Sequence, residues 1–175
     1  DNTNPILDVT FDGIHILDED IVSPMPLISI TLDDENEFLL LNEDLDTNLF
    51  KVQLIRPNSN GPEQLFFSNN GESGYLMWEP AIDDKNLFKI EYNPIFTEDG
   101  VYTLMVQGSD KSNNFSGDFS YEISFEVITA STITHLFNYP NPFSTKTHFV
   151  FTLTGSEVPD QMLIQIMTVT GKVVR

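Results

Sequence analysis

Short runs of alternating apolar and polar residues, cut by clusters of Pro, Gly, Asn and Asp, extend along the whole chain. Such runs predict strands, because successive side chains of an extended chain point to opposite faces. Strands are predicted at residues 6–11, 27–32, 50–55, 64–67, 87–92, 100–108 and 121–128. Within one of them Tyr102, Leu104 and Val106 fall on one face, and Thr103, Met105 and Gln107 on the other. In another, Tyr121, Ile123, Phe125 and Val127 point one way, and Glu122, Ser124 and Glu126 the other. No stretch keeps a helical period over three or more turns; residues 83–87 hold a helical turn at most.

About seven short strands at turn-punctuated spacing predict an antiparallel sandwich. In Glu98-Asp-Gly-Val-Tyr102 a turn leads directly into a strand, with a tyrosine near its start. This resembles the tyrosine corner of immunoglobulin-like domains, in which the hydroxyl returns to a backbone group beside the turn. Gly100 would supply there a backbone conformation that a Cβ forbids. The polar stretch Gly108-Ser-Asp-Lys-Ser-Asn-Asn114 reads as a hairpin loop, and together with the Asp-Gly-x-Tyr turn it is similar to bacterial immunoglobulin-like repeats.

A boundary is placed at residues 129–134 by a change of charge. Of 8 bases and 27 acids, three bases and two acids lie at or after Ser131, so the acidic character belongs to residues 1–130. Beyond the boundary the chain turns Pro-rich, and each X-Pro pair biases its first residue to extended geometry. Residues 139–142 are therefore expected to form a stiff edge leading into a strand at 146–153, followed by one at 162–169 and a turn at Gly171. The fold expected is all-β: an immunoglobulin-like antiparallel β-sandwich over residues 1–130, then a second, incomplete β-sandwich segment over 131–175.

Composition narrows the function. The net charge of −19 over 175 residues leaves no cationic surface for nucleic acid or for an anionic membrane. Hydrophobic residues make up 40%, enough for a packed core. There is no Cys, hence no disulfide, thiolate metal site or cysteine nucleophile in this segment. No apolar run approaches the ~20 residues of a membrane-spanning helix. The chain opens Asp-Asn-Thr-Asn-Pro and reads as an internal or processed fragment, with any export signal upstream.

Three pieces in order carry a resemblance: Tyr139-Pro-Asn-Pro-Phe143, an alternating strand ending at Leu153, and Ile166-Met-Thr-Val-Thr-Gly-Lys-Val-Val-Arg175. Together they resemble the start of the C-terminal sorting domain (type A) of cargo of the Bacteroidetes type IX secretion system. The family domain is a small β-sandwich with further strands, so the resemblance implies that residues 131–175 are its truncated N-terminal part. Ser23-Pro-Met-Pro-Leu-Ile-Ser-Ile-Thr-Leu-Asp-Asp-Glu-Asn36, Thr97-Glu-Asp-Gly-Val-Tyr-Thr-Leu104 and Val106-Gln-Gly-Ser-Asp110 are similar to the region before such a domain in gingipain-like (C25) surface proteins, sortase-like members included. This implies a cysteine peptidase-like domain upstream, export through the periplasm to the cell surface or medium, and the translocon, shuttle and sortase components of the secretion machinery as partners. The sorting-motif residues implied are Tyr139, Pro140, Asn141, Pro142, Phe143, Gly171 and Lys172. The plainer reading is that they shape a turn and a sheet edge.

The chemical candidate is acidic. Asp33, Asp34, Glu35 and Asp46 sit in acid-dense stretches, and calcium takes several carboxylate and carbonyl oxygens from such loops. Asp110 and Asn113 form a second candidate. The competing reading is a solvated loop that keeps the protein soluble. His15, His135 and His148 are far apart in sequence and lack metal-ligand spacing. Trp78 could stack on a sugar, although sandwich cores recruit aromatics as a matter of course. No Gly-rich phosphate loop, Gly-x-Ser-x-Gly or His-Glu-x-x-His is present. The expected role is non-catalytic: an accessory and sorting region of a secreted or surface protein. The alternative is a calcium-dependent module that binds carbohydrate or protein.

Overall fold

The computed structural model of the chain describes residues 3–68, 72–82 and 85–174. In chain order its strands are β1 (Ile6–Phe11), β2 (Asp20–Val22), β3 (Ile28–Asp34), β4 (Phe50–Ile55), β5 (Glu63–Gln64), β6 (Leu76–Glu79), β7 (Asn86–Tyr92), β8 (Gly100–Gly108), β9 (Tyr121–Val127), β10 (Ile133–Tyr139) and β11 (His148–Leu153). A four-stranded sheet runs β1-β3-β7-β6, and a five-stranded sheet runs β2-β9-β8-β4-β5. The protein is all-β, with the two sheets packed as a sandwich and β10-β11 as a separate hairpin. The pairings are antiparallel apart from β2 with β9, which is parallel.

The alternation seen in the sequence becomes the core. Ile28, Ile30 and Leu32 of β3 and Phe88, Ile90 and Tyr92 of β7 face inward from one sheet. Val52, Leu54, Tyr102, Leu104, Val106, Phe125 and Val127 face them from the other. Each fully buried side chain of this kind contributes about 1.5–3 kcal/mol. Rings knit the two layers together: Phe96 lies 4.4 Å from Tyr102, Phe11 lies 5.0 Å from Phe125, and Phe50 stacks on Phe88 at 4.8 Å. The contiguous core begins at Val9 and ends at Val127.

The corner at β8 forms as expected. The Tyr102 hydroxyl donates to the Glu98 carbonyl at 2.9 Å. Gly100 has φ +137°, and a Cβ there would lie 3.0 Å from Pro57.

Elsewhere the structure departs from the sequence pattern. β2 and β6 were not anticipated: both are short, and each is extended because a neighbouring strand pairs with it. Residues 44–49 form a 3-10 helix. Asp83 and Asp84 of the expected helical turn lie outside the described residues, while Asn86 and Leu87 belong to β7. Residues 162–169 carry no strand beyond a single bridge of Met167 to Val173. Their alternating pattern finds no neighbouring strand among the described residues to complete its hydrogen bonds, and a strand without a partner is not stable in water. Ile133–Tyr139 is itself a strand, so the Pro-rich stretch connects β10 to β11 instead of leading into a first strand.

Candidate functional site

Most of the residues singled out from the sequence lie in two regions, the hairpin beyond Ser131 and the loops at one pole of the sandwich.

The hairpin pairs Tyr139 with His148 and Ile133 with Leu153, with a register shift between Thr134 and Phe137. Tyr139 ends β10 with its ring exposed. The Tyr139–Pro140 and Asn141–Pro142 peptide bonds are both cis. The connection folds back on itself through Thr147, whose hydroxyl donates to the Pro140 carbonyl at 2.9 Å. Asn138 Nδ2 reaches the same hydroxyl at 3.3 Å. Tyr139 and Phe143 are therefore displayed at a shaped hairpin end. Gly171 and Lys172 close a separate turn: Gly171, at φ +85°, donates from N–H to the Thr168 carbonyl, and Thr168 N–H donates to the Lys172 carbonyl at 2.8 Å.

What the sequence did not reveal is the clasp that holds the hairpin to the sandwich. Thr154 is the one buried residue among those described after Ser131. Its hydroxyl donates to the Ala130 carbonyl at 2.7 Å, and its N–H to the Thr132 carbonyl at 3.0 Å. Gly155 N–H donates to the Ile128 carbonyl at 3.1 Å, and a Cβ on Gly155 would sit 2.8 Å from the Ser131 backbone. A Thr-Gly pair after a strand was the available signal. Its partners are 22 to 27 residues away and could not be read locally.

Beside this clasp lies a groove of about 760 Å³, lined by Leu136, Phe149, Phe151, Leu153, Met162 and Ile164 among others. Leu136, Phe149, Leu153, Met162 and Ile164 are exposed. Among the described residues β10 and β11 form a sheet of two strands, so each keeps one unpaired edge.

The acidic candidates are divided by the strand pleat. Asp33 and Asp34 are neighbours on β3, so Asp33 faces outward and is exposed, whereas Asp34 is buried. Asn86, opposite Asp34 on β7, donates from Nδ2 to Asp34 Oδ2 at 2.9 Å. Asp34 Oδ1 has no hydrogen-bond partner among the described residues. Burial first, and then the Asp110 carboxylate, hold the Asp34 carboxyl above its usual range; the Asn36 N–H and the Asn86 amide oppose the shift. Glu35 is exposed. Asp46 is committed elsewhere: its Oδ2 accepts from the Asn42 and Glu43 N–H groups at 2.7 and 2.8 Å and pairs with Lys111 Nζ at 3.1 Å. The four carboxylates thus do not converge, and among the described residues no three His, Asp or Glu side chains form a group that could hold a metal ion.

Asp110 is buried and accepts from the Ser112 and Asn114 N–H groups, both at 2.8 Å, and from Asn114 Nδ2 at 2.7 Å. Asn113 is exposed, with φ +65°. His15 bonds Asp8 at 2.7 Å, His135 contacts Thr134 at 3.2 Å, and His148 is an exposed strand residue. Trp78 stacks on the core ring of Phe88 at 5.3 Å, which takes up one face of its indole.

No protein-family model, curated protein or solved structure matches the chain.

Proposed function

We propose that this chain is the non-catalytic accessory and sorting region of a secreted or cell-surface protein. On this reading residues 1–130 support an upstream domain of C25 peptidase-like type. Residues 131–175 act as a type IX sorting segment that is read by the translocon, shuttle and sortase components on the way through the periplasm. The observation that carries the reading is the β10-β11 hairpin: an apolar, edge-exposed sheet clasped to a finished sandwich, with Tyr139 and Phe143 displayed at its turn. Unpaired edges and exposed apolar rows suit recognition by strand addition. The resemblance of residues 139–143 and 166–175 to sorting domains supplies the direction of transport.

The test is export of the parent protein in a Bacteroidetes host, intact and with residues 138–175 deleted. Surface delivery of the intact form and periplasmic accumulation of the deleted form is the expected result. Equal surface delivery of both would sink the proposal.

A calcium-dependent binding module is a second reading, favoured by one observation: the buried, unpartnered Oδ1 of Asp34 beside the Asp110 carboxylate. Hard oxygen donors of this kind suit a divalent cation. The ligands would be Asp34 and Asp110, with Asp33, Glu35 and Asp46 outside the set. A calcium-dependent rise in Tm, reversed by chelator and absent in Asp34→Asn, is expected if a cation binds. An unchanged Tm in millimolar calcium would dismiss the reading.

A further inference from the structure

The pole of the sandwich farthest from the hairpin carries a second surface. β3 ends there at Asp34, β7 begins at Asn86, and β8 ends at Gly108 opposite Phe50. Three stretches meet at this pole: 35–49, 80–82 with Lys85, and 109–120. They are tied to one another by specific bonds. Asn86 accepts from the Leu41 N–H at 2.8 Å and donates to the Asn36 and Leu39 carbonyls at 3.1 and 3.2 Å. Ala81 N–H donates to the Leu41 carbonyl at 2.9 Å, and Lys111 pairs with Asp46 at 3.1 Å. The chain leaves the sandwich for the hairpin after Val127, which pairs with Gly100 at the opposite pole.

Leu41 of these loops is buried, but several other large apolar side chains point to solvent. Phe38 is 94% exposed, Phe119 88%, Leu45 72% and Ile82 67%. The loop that carries Phe38 is held to Asn86 through Asn36, Leu39 and Leu41, so it loses little entropy on binding, and aromatic anchors dominate binding energy at protein interfaces. On the same loops Glu35, Glu37, Glu43, Asp44 and Asp118 are exposed. The bases among the described residues of these loops are Lys85 and Lys111, and Lys111 is already paired.

We infer that this pole is a docking surface for a protein segment carrying Lys or Arg beside aliphatic or aromatic side chains. Charge selects the occupant. A second copy would bring these same acids against themselves, and nucleic acid or anionic lipid would be repelled. A basic segment neutralises the rim while its apolar side chains cover Phe38 and Phe119. The inference rests on neither the sorting nor the calcium reading, since the surface lies away from the hairpin and its proposed residues do not include Asp34 or Asp110.

The experiment uses the 175-residue chain and a fluorescein-labelled peptide alternating Lys with Leu, read by anisotropy at low and raised salt. Expected is saturable binding, weakened about tenfold in a Phe38→Ser/Phe119→Ser variant. Glu35→Gln/Glu37→Gln should flatten its salt dependence. Ile14→Ser/Ile95→Ser, exposed at the other pole, should bind as wild type. Matching thermal unfolding of all variants shows that the loops alone have changed. Failure of the Lys-Leu peptide to bind would overturn the inference, as would equal loss in the control variant or equal affinity for Lys-Ser or Glu-Leu peptides. Export of the Phe38→Ser/Phe119→Ser parent protein should be normal, which separates this surface from the sorting signal.

Discussion

At the scale of the residue, two side chains carry separable consequences. Asp34 is held above the usual carboxyl range by burial and by Asp110. The folded chain therefore keeps this proton at pH values where the unfolded chain has lost it. Stability falls as pH rises from the unfolded pKa through the raised folded one. Asp34→Asn should remove that fall, so urea unfolding at pH 4 and pH 7 should show a gain that is larger at pH 7. A gain equal at both values would remove Asp34 as its source. Tyr102 has the opposite character, a buried ring with a satisfied hydroxyl. Tyr102→Phe should cost about 1 kcal/mol, checked by urea unfolding at neutral pH. The corner was legible because a tyrosine four residues after its acceptor is a local arrangement. The fate of Asp34 was not: strand alternation sends it inward, but its tie to Asn86 depends on β3-β7 register, 52 residues apart.

At the scale of the element, strands bounded by turn residues on both sides were legible, and β1, β4 and β8 keep the expected bounds. The acid-dense loops read as open chain in the sequence, yet Asp46 caps the first turn of a 3-10 helix and Asp110 organises a turn. Both spend oxygens on backbone N–H groups that a loop must satisfy somewhere. Residues 156–166 lack a partner strand among the described residues. Their amides should exchange at nearly unprotected rates, whereas those of β3, β7 and β8 should exchange only on global unfolding. Hydrogen exchange read by mass spectrometry would check this, and strong protection of 156–166 would reveal pairing absent from this structure. Gly155→Val should free the hairpin, raising exchange in β10 and β11 while leaving the sandwich unchanged, because its Cβ would meet the Ser131 backbone.

At the scale of the molecule, charge is divided as sharply as packing. The net −19 is concentrated before Ser131, and self-repulsion opposes the compact state. Added NaCl should therefore raise the Tm of the sandwich over the range in which the Debye length shrinks from ~30 to ~8 Å. A Tm insensitive to salt over that range would show the repulsion to be already relieved by local pairs such as Lys89 with Glu91 at 2.6 Å. The sequence by itself determined the all-β class, most strand faces, the turn chemistry and the charge boundary, because these follow from side-chain period, backbone preference and composition. The tertiary structure decided which carboxylates are buried or spent, that β2 pairs parallel to β9, and that Thr154 and Gly155 clasp the hairpin. It also decided that one pole displays Phe38 and Phe119. Each of these depends on residues brought together from far apart in the chain, where no local pattern carries the information.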